Sequence, residues 1–290
     1  MGDRPWKLLT ILEQTSTFFT QKGLENARLQ AELLLADVLD TGRLDLYLQF
    51  ERVLTSTEVE RYRAHVKTRL QGVPVQYITG EAGFRHLVLA VTPAVLIPRP
   101  ETEILVDAIL ERLEGNPAPR VLDLCCGSGA IGLAVASECP TAQVVATDQS
   151  PEALAMAQDN AHRCEVGEQV HFFCSDLFAA LEPESDPFDL IASNPPYIRR
   201  GDLAGLDPEV IEHEPRMALD GGEDGLDFYR LIVAQASSFL KQQGHLVLEV
   251  GDDQAAAVTD LVQAQSALDL EETRPDLNDV PRVLVIRHSA

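Results

Sequence analysis

From residue 121 onward, short apolar segments alternate with segments whose apolar residues recur at helical spacing. The apolar segments predict strands at Val121 to Leu124, Gln143 to Thr147, Val170 to Cys174, Phe188 to Ser193, His245 to Val250, near Leu268 and at Val283 to Ile286. Strands that alternate with helices of this length are joined by βαβ crossovers and form a mainly parallel sheet. The pattern therefore predicts an α/β fold with a mainly parallel seven-stranded sheet, in which a ligand binds at the carboxyl ends of the strands.

The first 72 residues show only helical patterns. Between Ala27 and Leu39 the apolar residues recur at helical spacing. A second helix is predicted to start at Thr55-Ser56-Thr57, a run of residues that favour helix N-caps, and to continue to Leu70. Residues 1–72 are therefore predicted to form a small all-helical domain.

The segment that follows, residues 73–92, is predicted to form a β-hairpin linker. Val75 to Ile78 and Leu87 to Val91 are rich in residues that favour strands, and glycines separate the two runs. Prolines then prevent regular structure until a helix begins near Glu101. The α/β domain is assigned to residues 93–290.

The charge of the chain restricts its partners. It has 23 basic and 46 acidic residues, a formal net charge of −23. A protein that binds long nucleic acids needs a positive face, because its affinity comes from neutralising phosphates and releasing counterions. No direct binding of nucleic acid is therefore expected.

The cysteines and the hydropathy pattern indicate the compartment. The cysteines are odd in number and contain no C-x-x-C pair, so neither a disulfide framework nor a metal site is predicted. No apolar run approaches the length of a membrane span, and the N-terminus lacks the apolar region of a signal peptide. We expect a cytoplasmic protein that does not bind membranes and acts as a monomer.

A glycine-rich loop follows the first predicted strand of the α/β domain. Gly127, Gly129 and Gly132 satisfy G-x-G-x-x-G, a spacing that lets the backbone turn tightly and approach a ligand closely. Asp148, nineteen residues beyond Gly129, ends the second strand and can accept hydrogen bonds from both hydroxyls of a ribose. Alternatively, it is an acid at the N-terminus of the helix that begins after Ser150. These features fit either a nicotinamide dinucleotide or S-adenosylmethionine.

Asn194-Pro195-Pro196-Tyr197 follows the fourth strand and distinguishes between these cofactors. Prolines lack an N–H and restrict φ, which leaves the carbonyls of Asn194 and Pro195 free to face a cleft. Acceptors of this kind can hold both N–H bonds of a planar NH₂ group. They align its weakly nucleophilic nitrogen with a methyl donor, so that positioning replaces a strong base. We therefore predict methylation of an amide or an exocyclic amine, with Asn194, Pro195, Pro196 and Tyr197 as the catalytic residues.

With these motifs the chain resembles the protein-(glutamine-N5) methyltransferases that modify peptide chain release factors, the HemK or PrmC family. The resemblance covers nearly the whole chain and is carried by Asn194 to Ile198, Pro74 to Gly80, Phe84, Ile97 to Glu103, Glu214 to Leu219 and Gly221 to Leu226. It implies a Rossmann-like class I methyltransferase fold, with S-adenosylmethionine as the cofactor. It also implies class I release factors as the protein substrate, methylated on the glutamine of a Gly-Gly-Gln segment. The helical domain is expected to help grip the release factor or, alternatively, only to stabilise the fold.

The resemblance also assigns the residues of the site. It implies that the Asn194 side chain and the Pro195 carbonyl bind the substrate amide, and that Tyr197 packs against it. The residues expected to bind the cofactor are Phe84, Asp123, Cys125, Cys126, Gly127, Ser128, Gly129, Asp148, Asp176, Leu177 and Asn194. Cys125-Cys126 replaces a pair similar to Gly-Thr, and Leu177 replaces the aromatic residue of some members. Arg99 and Glu101 are either a structural ion pair or part of the cleft mouth.

Three alternatives share part of this pattern. An amino-methyltransferase acting on adenine or another base of DNA or RNA would use the same Asn-Pro-Pro-Tyr chemistry. The negative charge and the lack of a basic recognition segment with aromatic residues disfavour it. A nicotinamide dehydrogenase gives no account of residues 194–197. A non-catalytic binding module predicts that substitution of Asn194 leaves methyl transfer unchanged.

Overall fold

The computed structural model describes residues 6–183 and 187–289. The chain divides into two compact units, one that ends at Gly80 and one that begins at Glu81. Among the described residues, no helix combines the length and the apolar character that crossing a membrane requires.

The first unit is helical. Its helices are α1 (Leu8–Gln21), α2 (Ala27–Leu39), α3 (Ser56–Arg69) and α4 (Val75–Thr79), with a 3-10 helix at Arg43–Leu48. Thr55 begins α3 in a capping box. Its hydroxyl accepts the N–H of Glu58, and the Glu58 carboxylate accepts the N–H of Thr55. Apolar faces of these helices pack into one core that includes Leu12, Leu35 and Tyr62. The expected helical N-terminal region is confirmed.

The strand expected at Val75 to Ile78 is wrong, because helix α4 occupies this segment. Val75 is buried in the core of the first unit, and Ile78 packs against the same core. Residues three apart lie on one face of a helix, whereas on a strand they point to opposite faces. Gly80, with φ 74°, ends the helix in the left-handed conformation. Burial of one apolar face therefore outweighs the strand-forming composition.

The second unit contains all the strands that the structure describes. They are β1 (Glu81–Phe84), β2 (Leu87–Ala90), β3 (Arg120–Leu124), β4 (Gln143–Asp148), β5 (Val170–Cys174), β6 (Phe188–Ser193), β7 (Leu240–Glu249), β8 (Leu268–Pro275) and β9 (Pro281–His288). The helices of this unit are α5 (Thr102–Leu113), α6 (Ala130–Glu138), α7 (Pro151–Arg163), α8 (Pro208–His213), α9 (Asp227–Ala236) and α10 (Ala255–Gln263).

The hairpin differs from the expected linker. β1 and β2 pair antiparallel. Since β1 begins at Glu81, the hairpin starts later in the chain than the strand expected from residue 75. Phe84, Leu87 and Leu89 are buried in the same core as β3. The hairpin therefore belongs to the second unit, and the unit boundary follows Gly80 instead of residue 72.

The main sheet has seven strands within the described ranges, in the order β5-β4-β3-β6-β7-β9-β8. Strands β3 to β7 pair with one another in parallel, and β9 is antiparallel to both β7 and β8. Val121 and Leu190 face a core shared with α5, α6 and α7. Leu122 and Ile191 face a second core shared with α9 and α10. The α/β fold with a mainly parallel seven-stranded sheet is confirmed.

The strand order reverses beside β3. The chain moves from β3 outward to β4 and β5, and then returns to β6 on the other side of β3. Leu124 at the end of β3 pairs with Thr147 of β4 and with Ser193 of β6. Such a reversal leaves a crevice at the carboxyl ends of the strands. The loops that follow β3 and β6 begin at this crevice.

Candidate active site

A cavity lies at the carboxyl edge of the sheet, the place where ligands bind in folds of this type. Its wall contains the predicted residues Cys125, Gly127, Asp148, Asp176, Leu177, Asn194 and Pro196. The loops after β3, β4, β5 and β6 therefore meet around one space, as the parallel sheet requires.

The other predicted residues do not form part of this wall; they are Phe84, Asp123, Cys126, Ser128, Gly129, Pro195 and Tyr197. Phe84 and Cys126 are enclosed in the core beneath the loop. Asp123 is fully buried, and its Oδ2 accepts the N–H of Gly132 at 2.9 Å. Gly129 is the N-cap of α6, at φ 85°. Phe84, Asp123, Cys126 and Gly129 therefore support the glycine-rich loop, and none of them lines the cavity.

Asp148 anchors the wall at the end of β4. Its Oδ2 accepts the N–H of Gly127 and its Oδ1 accepts the N–H of Ser150, each at 2.9 Å. Burial raises the pKa of Asp148, and the backbone hydrogen bonds oppose this rise. Each carboxylate oxygen keeps a further lone pair, with which it can accept a ribose hydroxyl. Since Ser150 is the N-cap of α7, the same side chain also fits the alternative interpretation of an acid at a helix start.

Cys125 has a backbone conformation that glycine adopts more readily. Its φ is 60°, in the left-handed region. Burial raises the pKa of its thiol, which is therefore neutral and contributes a small apolar surface to the wall. Leu177 is also left-handed, at φ 49°, and is buried on the same wall. Cys125 and Leu177, which both depart from the family pattern, therefore each present an apolar surface to the cavity.

The Asn-Pro-Pro-Tyr loop (residues 194–197) supplies hydrogen-bond acceptors. The Asn194 Nδ2 donates to Thr102 Oγ1 at 3.1 Å. Among the described residues, no donor bonds the Asn194 Oδ1 or the carbonyl oxygen of Pro195. Asn194 and Pro196 line the cavity. The Asn194 side chain can therefore accept from a ligand in the cavity, and the Pro195 carbonyl belongs to the same loop, in a residue outside the cavity wall.

This loop is held in place from the side away from the cavity. Tyr197 packs against the second core, and burial raises the pKa of its hydroxyl to about 12. The Gln254 Nε2 donates to the carbonyl of Tyr197 at 2.8 Å and to that of Gly225 at 3.1 Å. The Gly221 N–H donates to the carbonyl of Ile198 at 2.9 Å. The segment Gly221 to Leu226 therefore backs the loop.

Sequence reasoning missed part of the wall, namely Ala94, Val95, Leu96, Gln149, Ser150, Ala153, Ser175, Pro215, Met217, Ala218 and Phe228. Two of the segments that carry them are tied together, because Arg99 Nη2 bonds the buried Glu214 Oε1 at 2.6 Å. Burial raises the pKa of Glu214 although Arg99 opposes this. Arg99 therefore pairs with Glu214 instead of Glu101. The resemblance had marked the segments that hold Arg99 and Glu214, namely Ile97 to Glu103 and Glu214 to Leu219, but not Ala94 to Leu96.

Comparison with known proteins adds to this geometry. Residues 10–80 match the family model described as PrmC N-terminal domain, and residues 101–223 match the Methyltransferase small domain. The chain is 45% identical over 286 residues to the release factor glutamine methyltransferase of Geobacter sulfurreducens, which covers 98% of each chain. It is 41% identical over 272 residues to that of Chlorobaculum tepidum, which covers 91% of this chain and 92% of the relative.

The likeness to solved structures concerns the fold alone. A methyltransferase from Pyrococcus furiosus superposes with a TM-score of 0.51 at 14% identity, over 79% of this chain and 98% of that chain.

Proposed function

Because the chain belongs to the release factor glutamine methyltransferase family, we propose that it methylates the side-chain amide nitrogen of the glutamine in the Gly-Gly-Gln segment of peptide chain release factors. The methyl donor is S-adenosylmethionine. The observation that carries the proposal is the pair of unused acceptors, Asn194 Oδ1 and the Pro195 carbonyl, in the loop that borders the cavity. A glutamine carboxamide offers two N–H donors on one nitrogen, which matches this pair.

The residues of the cavity fit S-adenosylmethionine. Asp148 would accept the ribose hydroxyls, Asp176 would accept the adenine amino group, and Leu177 would give apolar contact. At Gly127, an added Cβ would meet no atom within 4 Å, so the backbone of the loop is open on this side. When bound, the cofactor supplies an electrophilic methyl group on a sulfonium.

The chain itself would act by positioning the substrate nitrogen. The lone pair of an amide nitrogen is delocalised into the carbonyl, so the nitrogen is a poor nucleophile. Acceptors at Asn194 and Pro195 hold both N–H bonds in a fixed plane and favour rehybridisation of the nitrogen as the new bond forms. The nitrogen then carries an acidic proton that water can accept, which explains how the reaction proceeds without a strong base.

Asp148→Asn is expected to lower the affinity for S-adenosylmethionine by about ten- to a hundredfold. The substitution removes a charged acceptor, and hydrogen bonds to charged groups contribute about 1.5–3 kcal/mol. Isothermal titration calorimetry measures this change directly. Asp159→Asn on the exposed surface of α7 is the matched control and should bind with unchanged affinity. Equal affinities for the two variants would remove Asp148 from the cofactor site.

We also infer that the helical unit contacts the release factor. α1 and α3 line an apolar groove that includes Trp6, Phe18 and Leu70, and the last two are 39% and 38% exposed. Arg63 and Lys67 are also part of its lining, in a chain with a net charge of −23. Exposed apolar side chains beside cations, one of which lies over the Trp6 ring, support a protein-binding surface.

Phe18→Glu is expected to raise the KM for the release factor by about tenfold and to leave kcat and cofactor affinity unchanged. Burial of an aromatic side chain against a partner contributes about 1.5–3 kcal/mol, and a carboxylate would be desolvated there. Steady-state kinetics with varied release factor separate the two constants. Leu48→Glu, at an 84% exposed position outside the groove lining, is the control. Equal KM values for the release factor in Phe18→Glu and Leu48→Glu would contradict the inference.

The activity is tested by incubating the protein with a release factor and S-adenosylmethionine that carries an isotopically labelled methyl group. Peptide mass spectrometry should place one labelled methyl on the Gly-Gly-Gln glutamine. A release factor with glutamate at that position should remain unlabelled, because it offers no N–H₂ group. Adenine-containing DNA and RNA are included in parallel, and labelling of nucleic acid alone would overturn the proposal.

A further inference from the structure

Asn194 has two buried polar neighbours that do not line the cavity. Ser193 of β6 pairs with Leu248 of β7, so the next residues, Asn194 and Glu249, lie side by side. Thr102, the first residue of α5, is 4% exposed, and Glu249 is 1% exposed. The Thr102 Oγ1 donates to Glu249 Oε2 at 2.6 Å and accepts from Asn194 Nδ2 at 3.1 Å. The three side chains form one hydrogen-bonded chain, and the Asn194 side chain also lies within hydrogen-bonding reach of the Glu249 carboxylate.

The direction of these hydrogen bonds follows from the chemistry of the carboxylate. An ionised carboxylate can only accept, so the single proton of the Thr102 hydroxyl goes to Glu249. The hydroxyl lone pair then accepts from Asn194, which must turn its NH₂ group toward Thr102. The amide oxygen of Asn194 therefore points away from Thr102. A carboxylate buried at the first turn of α5 also benefits from the positive end of the helix dipole.

We propose that Thr102 and Glu249 are positioning residues for methyl transfer, which fix the Asn194 amide so that its oxygen is presented to the N–H group of the substrate amide. The inference rests on the proposed function of Asn194. An inverted Asn194 amide would place an NH₂ group against the NH₂ group of the substrate, and the hydrogen bond that holds the nitrogen would be lost.

Protonation of Glu249 would remove its control over the orientation of the Asn194 amide. Burial raises the pKa of Glu249 to about 7. The titratable and charged groups that act on it are Glu101 before α5, Tyr197, Tyr229 on α9 and Arg282 on β9. A protonated carboxyl can donate as well as accept, so the direction of the chain is no longer fixed. Since the ionised form is the active one, kcat should decrease as the pH falls through about 7 and reach a plateau above it.

The first test removes the hydroxyl and then restores it. Thr102→Val should lower kcat about ten- to a hundredfold, because misplacement of a reacting group costs this much. The KM for the release factor and the cofactor affinity should change less than about threefold, since neither binding surface is altered. Thr102→Ser retains the hydroxyl and should keep kcat within about threefold of the parent.

A double-mutant cycle shows whether Thr102 acts through Asn194. Thr102→Val combined with Asn194→Ala should be no slower than Asn194→Ala alone, because the group to be positioned is absent. Losses that multiply in the double variant would overturn the inference. A Thr102→Val enzyme with the parental kcat would also overturn the inference, provided that the Asn194→Ala single variant is inactive. If Asn194→Ala itself is active, the proposed function of the site fails instead.

The pH profile gives a second, independent readout. Burial also raises the pKa of Asp123 to about 7, so this group titrates in the same range. With both substrates saturating, Glu249→Gln should abolish the decrease of kcat at acid pH, whereas Asp123→Asn should retain it. An acid decrease that persists in Glu249→Gln contradicts the inference. If Thr102→Val does not fold, as judged by circular dichroism, Thr102→Ser and Glu249→Gln decide the question.

Discussion

Asn194→Ala should lower kcat for methyl transfer by about a hundred- to a thousandfold, the loss typical of removing one preorganised group that contacts the reacting atoms. The variant loses the only side-chain acceptor assigned to the substrate amide and keeps the Pro195 carbonyl. One N–H bond would then be held where two were held before, so the nitrogen would no longer be aligned with the methyl group. Single-turnover kinetics with saturating cofactor and release factor measure the chemical step.

The cofactor affinity of Asn194→Ala should decrease much less than kcat, because the ribose and adenine contacts assigned to Asp148 and Asp176 remain. Asn278→Ala, in the exposed turn between β8 and β9, is the matched control and should have parental kinetics. A fully active Asn194→Ala variant would assign catalysis to a different loop. Loss of cofactor binding in parallel with kcat would instead assign Asn194 to the cofactor.

The sheet and the edge that carries the site follow from local sequence patterns. β5 and β6 have the predicted bounds, because each is a short apolar run that loops interrupt on both sides. Once the strands are parallel, the residues that follow them must converge at one edge. This is why Cys125, Asp148, Asp176 and Asn194 could be placed together before the structure was known.

The remainder of the site depends on contacts between residues far apart in the chain. Leu96 reaches the wall from an irregular segment and Met217 from a short 3-10 helix, and Arg99 and Glu214 tie the two segments together across 115 positions. No periodicity encodes such a contact. Asp123 was predicted to bind the cofactor because it belongs to the motif, but its carboxylate turns toward the N–H of Gly132 under the loop. Motifs therefore identify the loop, whereas packing decides which side chains face the cavity.

Gly221→Ala should lower kcat by about tenfold or more, although residue 221 does not line the cavity. A Cβ atom at this position would lie 2.7 Å from the Cα and carbonyl carbon of Tyr197 and 2.8 Å from the carbonyl oxygen of Pro196. These are backbone atoms, so no side-chain rotation relieves the overlap. The Gly221 N–H is bonded to the carbonyl of Ile198, and its carbonyl accepts the N–H of Asp227. The substituted segment therefore cannot withdraw freely, and the Asn-Pro-Pro-Tyr loop must shift.

The shift should affect catalysis more than cofactor affinity, because Asp148 and Gly127 belong to loops on other strands. Overpacking of this kind costs about 1–3 kcal/mol, so the melting temperature should also decrease by several degrees. Gly201→Ala is the matched control, since an added Cβ there meets no atom within 4 Å and its φ is not positive. Stopped-flow or quench-flow turnover and differential scanning calorimetry on both variants separate the two effects. Parental kcat in Gly221→Ala would show that the loop tolerates displacement, and that the position of the Asn194 amide does not limit the rate.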